Sequence, residues 1–352
     1  MNRDINLLSE ENVKKYVLPC YNLKNANLSR IKFKNTDKQR AVYKVDLSNK
    51  SYCLKKVYFD EADLLFVYSG VEWLYRNNIK VPRILPTENR NRFVKYKDML
   101  FVLTPWIVGE KCSYDNDDDI NHAILNLSQI HQSTRKFAPI YGSNSRQSFD
   151  NIGMSFEKHF FQLLSCSNMA FKHNDKFSNL FLEYFDINHI LSEISVKISQ
   201  TINYKKLHVS LCHLDYVNKN IIFDGDKNIW TIDFDKCSVA YCSHDISYFL
   251  RRFLKRTRTN WNFDSAIKCL NIYRKVSELN LDDYKYILSY LAFPQKFWKI
   301  SRDYYNNIAK CNHNSFFYLL KKASANSNAQ LEFTINFGKY IEKEFKTLLV
   351  YN

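Results

Sequence analysis

The sequence predicts an α+β chain of two lobes: a small β-rich N-terminal lobe over residues 1–106 and a larger, mainly helical lobe over 107–352. Three observations predict it. Strand-like alternation prevails before Gly109, apolar spacing of three and four residues prevails after it, and 352 residues exceed the length at which one hydrophobic core usually stops growing. With 45% hydrophobic and 16% aromatic residues, the chain is far too apolar for disorder.

Ala41 to Asp46 and Ser51 to Val57 read as strands joined by the turn-forming Leu47-Ser48-Asn49-Lys50, a hairpin. Leu64, Val67, Val71 and Leu74 then mark the buried stripe of a helix that ends before Val81-Pro82. Asn91 to Lys95 and Met99 to Thr104 flank Tyr96-Lys97-Asp98 as a second hairpin, giving a small sheet crossed by one helix. Beyond Gly109, Ile120 to Phe137 and the set Ile187, Ile190, Leu191, Ile194, Ile198 and Ile202 carry helical periodicity. Two short strands, Asn220 to Phe223 and Ile229 to Ile232, interrupt it around the turn Asp224-Gly225-Asp226, and from Ser243 onward the chain reads as helix. No repeat or Pro/Gly-rich linker separates the lobes, so the boundary near Trp106 to Glu110 is a short hinge.

A formal net charge of +15, from 51 Lys and Arg against 36 Asp and Glu, favours anionic partners without choosing among them. No nucleic-acid recognition motif accompanies the charge, and nucleic acid is not an expected partner. The run Arg251, Arg252, Lys255, Arg256 and Arg258 reads as a solvated helix surface, and Asp117, Asp118 and Asp119 read as a loop or helix N-terminus. No stretch approaches the run of about 20 apolar residues that spans a bilayer, and the first residues lack a secretory apolar region. Nine Cys, an odd number with no C-x-x-C pair, argue against a zinc cluster and a disulfide framework, and fit a reducing cytoplasm.

The chemistry concentrates in Leu211-Cys-His-Leu-Asp-Tyr-Val-Asn-Lys-Asn220 and Thr231-Ile-Asp-Phe-Asp235. The spacing is mechanical: a loop carries Asp215 and Asn220, a hairpin runs out and back, and Asp233 returns beside Asn220. Asn220 and Asp233 offer hard oxygens suited to Mg²⁺, and Asp215 is placed to orient an acceptor hydroxyl and take its proton.

His-x-Asp-x-x-x-x-Asn followed by Ile-Asp-Phe resembles the aminoglycoside phosphotransferase and choline kinase superfamily, with Leu214 in place of the usual Gly. Tyr52-Cys-Leu-Lys-Lys-Val57, Val81-Pro-Arg-Ile, Trp106-Ile-Val-Gly109 and Phe293-Pro-Gln-Lys-Phe-Trp-Lys-Ile300 with Tyr304-Tyr305-Asn306 resemble the CotS family of bacterial spore coat proteins, over nearly the whole chain. The resemblance implies a protein-kinase-like, aminoglycoside phosphotransferase-type fold that uses ATP and Mg²⁺. It further implies that Lys55, with Lys56 as a rival, pairs Glu72 and holds nucleotide phosphates, Lys55 sharing a strand face with Cys53. Adenine is then read at the hinge by the Pro105 carbonyl and the Ile107 N–H. Asp235 is either a further metal ligand or a loop residue, Asp245 is a helix N-terminal or loop-bracing residue, and His213 packs and hydrogen-bonds. The segment Lys34-Asn-Thr-Asp-Lys-Gln-Arg-Ala41, at the place of the nucleotide loop, has no glycine to let backbone N–H groups approach phosphates, and Lys38 and Arg40 offer charge instead.

The expected function is thus that of a CotS-like, spore coat-associated protein, made in the cytoplasm and carried to the coat, transferring phosphate from ATP to a hydroxyl. Its partners are other spore coat proteins or a small hydroxyl-bearing substrate. A polycationic aminoglycoside suits so basic a chain poorly. The alternative is a catalytically degenerate, structural or interaction protein of the coat.

Overall fold

The computed structural model describes residues 7–34 and 40–349. The chain divides into two compact units, Met1–Gln147 with Ser210–Val239, and Ser148–Val209 with Ala240–Asn352. The division differs from a cut at the hinge because the segment bearing Asp215 and Asp233 returns to the first unit.

The first unit opens with a short helix, α1 (Glu10–Tyr16), capped by the Ser9 side chain, which accepts from the Asn12 N–H. A five-stranded antiparallel sheet follows, with strands β1 (Asn27–Lys34), β2 (Arg40–Leu47), β3 (Lys50–Lys56), β4 (Val94–Tyr96) and β5 (Met99–Pro105) in the order β1-β2-β3-β5-β4. Both hairpins read from the sequence are present. Strand β1 escaped that reading because it is an edge strand: it carries a bulge between Arg30 and Lys32, and Ile31 faces solvent, so the apolar alternation is broken.

The sheet has two occupied faces. Tyr43, Val45, Leu54, Phe101 and Leu103 bury against Leu8, Val13 and Val17 of the N-terminal segment. There the Tyr43 hydroxyl donates to the Leu8 carbonyl at 2.6 Å. On the other face, Val57 and Val102 pack with Ile84 and with Leu64 of helix α2 (Glu61–Arg76). Helix α2 begins where Asp60 caps the Asp63 N–H, and it buries the predicted stripe of Leu64, Val67, Val71 and Leu74.

A second sheet joins β6 (Glu110–Lys111), β7 (Ile221–Phe223) and β8 (Ile229–Thr231) in the order β8-β7-β6. Its turn is built differently from expectation. Gly225 has open space around it and no left-handed backbone; Lys227 takes the positive φ, 60°. The Asp224 carboxylate makes the turn by accepting from the Asp226 and Asn228 N–H groups, the Asn228 amide and the Trp230 indole. Helix α3 (Asp117–Ser133) starts on its acidic triplet, with Asn116 accepting from the Asp118 and Asp119 N–H groups, so those acids lie at the positive end of the helix dipole.

The second unit is helical, with α4 (Ile152–His173), α5 (Lys176–Glu183), α6 (Phe185–Gln200), α7 (Cys242–Leu254), α8 (Phe263–Arg274), α9 (Leu281–Ala292), α10 (Gln295–Asn306), α11 (His313–Ser324) and α12 (Ser327–Phe345). The stretch from Phe293 to Ile300 is largely structural here. Phe293 stacks on Phe156 with ring centroids 4.6 Å apart, Phe297 stacks on Phe181, and Tyr304 stacks on Phe177 at 3.8 Å. Asp245 lies fully buried in the first turn of α7. Among the described residues, no helix is long and apolar enough to cross a membrane.

Candidate active site

The loop after Leu211 is held from several sides, all within the first unit. His213 is fully buried, its Nε2–H donates to the Ile232 carbonyl at 3.0 Å, and its Nδ1 accepts the Asp215 N–H at 3.2 Å. One imidazole therefore ties the backbone of Asp215 to the segment that bears Asp233, a bracing role. Asn126 of α3, also buried, donates its amide to Thr231 at 2.8 Å and to Tyr216 at 3.0 Å, fixing hairpin and loop together. Tyr114 accepts the Asn218 N–H. Neither Asn126 nor Tyr114 stands out in the sequence, because each works across about a hundred residues of chain.

Leu214 adopts a left-handed backbone, φ 57°, at the position where the resembled motif carries glycine. A side chain there costs on the order of 1 kcal/mol, so the loop tolerates strain to keep its path. Asp233 is left-handed as well, φ 68°.

The acids and the lysine converge. Lys55 Nζ lies 2.5 Å from Asp233 Oδ1 and 2.7 Å from Asp235 Oδ1. The register explains why Lys55 and not Lys56 points here. Lys55 pairs with Val42 and Val102, whose side chains line the same cavity, whereas Lys56 pairs with Ala41 and Phe101, which face the α1 side. Asn220 donates its amide to the Asp215 carbonyl at 3.0 Å, which turns its Oδ1 toward other uses. Asp235 Oδ2 is buried with no hydrogen-bond partner among the described residues. A buried carboxylate oxygen without a donor, beside Asn220 and Asp233, is the donor set a hard cation takes. Asn220, Asp233 and Asp235 fit Mg²⁺, whose chemistry would be to neutralise phosphate charge and fix phosphate oxygens.

Glu72 is engaged elsewhere. Arg83 grips it in a two-pronged pair at 2.8 and 2.7 Å and stacks over Tyr75, so the expected partnership of Lys55 with Glu72 is replaced by Lys55 with the two aspartates. The physical reason is charge matching: a planar guanidinium reaches both Glu72 oxygens, while two carboxylates outbid one for the ammonium.

These pairs make stability pH-dependent. Burial alone would raise the Asp233 carboxyl, but the Lys55 ammonium and its hydrogen bond overcome it and hold the group down at about 2. For Lys55, burial works downward, and Asp235 and Asp233 outweigh it and raise the amine above its ordinary range. A depressed acid contributes stability that is present above its unfolded value near 3.8 and is lost as pH falls through about 2. A raised lysine contributes stability present below its unfolded value near 10.5 and lost as pH rises through its folded one. Unfolding free energy should therefore be flat in this contribution across neutral pH, falling below about pH 4 and again above about pH 10. Asp233→Asn should flatten the acid limb in urea titrations; an unchanged limb would refute the coupling.

A cavity of about 260 Å³ opens beside this cluster, with Val42, Thr104, Pro105, Ile107, Ile222 and Ile232 among its walls. The apolar walls suit a flat base, and the strand edge offers polar groups. The Leu103 carbonyl accepts from the Leu85 N–H on that edge while the Trp106 N–H turns to Ser51 of β3, so by strand alternation the Pro105 carbonyl faces away from β3. Burial pushes the Cys53 thiol up to about 11, which makes it an apolar wall group rather than a nucleophile. Arg40 also lines the cavity, stacked over Tyr58; Lys38 lies outside the described residues. Asp215 Oδ2 lies 3.6 Å from Lys236 Nζ and 4.0 Å from Lys219 Nζ. Neither lysine stands out in the sequence, although Lys219 sits inside the first motif and Lys236 directly follows the second.

A braced Asp in the loop, an Asn and two further Asp beside a strand lysine, and an apolar cavity under a β-sheet define a kinase-like phosphotransferase fold. The chain belongs to the phosphotransferase enzyme family (APH), which matches residues 35–267. It is similar in structure to an aminoglycoside phosphotransferase from Alicyclobacillus acidocaldarius, with a TM-score of 0.77 and 18% identity over 93% of this chain and 96% of that one. A spectinomycin phosphotransferase in complex with ADP and spectinomycin gives 0.66 and 18% over 94% and 98%. A microcompartment-associated aminopropanol kinase gives 0.56 and 13% over 98% and 100%. At these identities the likeness is one of fold.

Proposed function

We propose that this protein is an ATP- and Mg²⁺-dependent phosphotransferase that phosphorylates a hydroxyl, acting in the spore coat as a CotS-like protein. The observation that carries the chemistry is the convergence of Lys55, Asn220, Asp233 and Asp235 on one cavity, with Asp215 braced beside it. The coat assignment rests on the CotS-like segments alone. Structural neighbours named as spectinomycin phosphotransferase and aminopropanol kinase support a small hydroxyl-bearing acceptor.

In this reading the adenine occupies the apolar slot, with the Pro105 carbonyl and Ile107 N–H as its polar contacts. Lys55 holds phosphate oxygens, which requires it to relax its grip on the aspartates when nucleotide enters. Asp215 accepts the acceptor's proton on its carboxylate, and Lys219 and Lys236 place positive charge beside it, favouring an anionic transferring group.

A second reading, a structural coat protein that keeps the fold without turnover, draws support from the glycine-free stretch 34–41. Thermal unfolding with and without ATP and Mg²⁺ separates the two. A ligand that binds only the native state stabilises it by about 2.7 kcal/mol at 100 times its dissociation constant. A magnesium-dependent rise that Asp233→Asn abolishes is the result expected of an enzyme. No rise at saturating ATP would overturn the proposal in favour of the structural role.

A further inference from the structure

The basic run that the sequence presented as a solvated helix surface is, in part, something else. Arg251 and Arg252, on the last turn of α7, fold back onto tyrosines: Arg251 stacks 4.3 Å over Tyr290 and donates to its hydroxyl at 2.8 Å, and Arg252 stacks 4.4 Å over Tyr248 and donates to its hydroxyl. Stacking fixes both guanidinium planes, so little freedom is lost when they meet a ligand.

Three further cations act electrostatically on one another or on these arginines. Lys255 follows α7, Lys296 is the second residue of α10, and Lys322 lies in the last turn of α11. Although Lys255 is an exposed residue, partial burial of its amine and then the charges of Arg252, Lys296, Arg251 and Lys322 hold that amine down at about 8. Helix α10 starts at Pro294 with no side-chain cap, which leaves its positive end open. Asp245, on the same helix as the arginines, exerts its charge on His244 and Tyr290. None of the five cations is ion-paired with an acid among the described residues.

Two atoms point to a missing ligand. Arg251 Nη1 and Arg252 Nε are buried and have no hydrogen-bond partner among the described residues. A buried guanidinium N–H without an acceptor is costly, and an anionic acceptor would satisfy these two while offsetting the like charge around them.

We propose that Arg251, Arg252, Lys255, Lys296 and Lys322 form a binding site, within the helical second unit, for the phosphate group of a small molecule. Phosphate is favoured over a single carboxylate because it carries up to two charges and several acceptor oxygens on one centre, matching two forked donors flanked by three ammonium groups. The site is additional to the nucleotide cavity, none of whose lining residues belongs to it.

The test is thermal unfolding of the full chain in inorganic phosphate, in citrate, and in sodium chloride of matched ionic strength. Phosphate should raise the midpoint by about 3 °C or more over chloride. In Lys255→Gln/Lys296→Gln/Lys322→Gln, three exposed positions whose loss the fold tolerates, the rise should vanish; Arg251→Gln should abolish it as well. No excess over chloride, an equal rise in the triple variant, or a rise in citrate that matches phosphate would each overturn the proposal, the last by assigning the site to carboxylates.

Discussion

Asp215→Asn is expected to lower phosphoryl transfer by about a thousandfold while leaving folding and Mg²⁺-nucleotide binding intact, since a positioned base contributes roughly 10²–10⁴ in rate. The separation of effects follows from how the residue is held. His213 grips the Asp215 N–H and Asn220 grips its carbonyl, both main-chain atoms that the substitution leaves in place. The carboxylate is lost, and with it the long ion pairs to the exposed Lys236 and Lys219 ammonium groups, which carry little stability. Single-turnover transfer and the ATP-dependent midpoint, measured on the same preparation, check this. Unchanged transfer would remove Asp215 from the base role; lost nucleotide stabilisation would show that it shapes the binding site instead.

Gly109→Ala is expected to cost about 3 kcal/mol of folding free energy, by contrast with Gly225→Ala, which should stay within about 0.5 kcal/mol. A Cβ on Gly109 would come 2.2 Å from the Phe223 carbonyl oxygen and 2.8 Å from the Ile222 side chain. Neither can yield freely: Phe223 pairs with Glu110 on one side and Ile229 on the other, so the clash is paid by the β6-β7-β8 sheet that carries the chain from Asn220 to Asp233. At Gly225 an added Cβ meets nothing within 4 Å. Urea unfolding of both variants gives the comparison directly. Equal stability would mean that the passage of the hinge over β7 is looser than its geometry.

The hinge glycine was visible as part of a motif, but its reason was not. Trp106-Ile-Val-Gly109 could be matched as a string, whereas the close approach of Phe223, more than a hundred residues on, exists only in the folded chain. The same split runs through the candidate site. Strand alternation is a local property, and it placed Lys55 with Cys53 and apart from Lys56, as the cavity lining shows. The partner of Glu72 is not local: Arg83 lies beyond the end of α2, and no spacing rule announces that it will capture a carboxylate expected to meet Lys55.

By itself, then, the sequence determined the α+β division, the two hairpins, the stripe of α2 and the loop-hairpin spacing that brings Asp215, Asn220 and Asp233 together, because each depends on backbone periodicity and covalent distance over a few dozen residues. Tertiary structure decided the rest. It chose which acid each cation meets, set Leu214 and Asp233 in left-handed conformations, left Asp235 Oδ2 without a donor among the described residues, and folded Arg251 and Arg252 onto Tyr290 and Tyr248. The physical reason is common to all: these are competitions among groups distant in the chain, settled by geometry and desolvation that exist only once the units are packed.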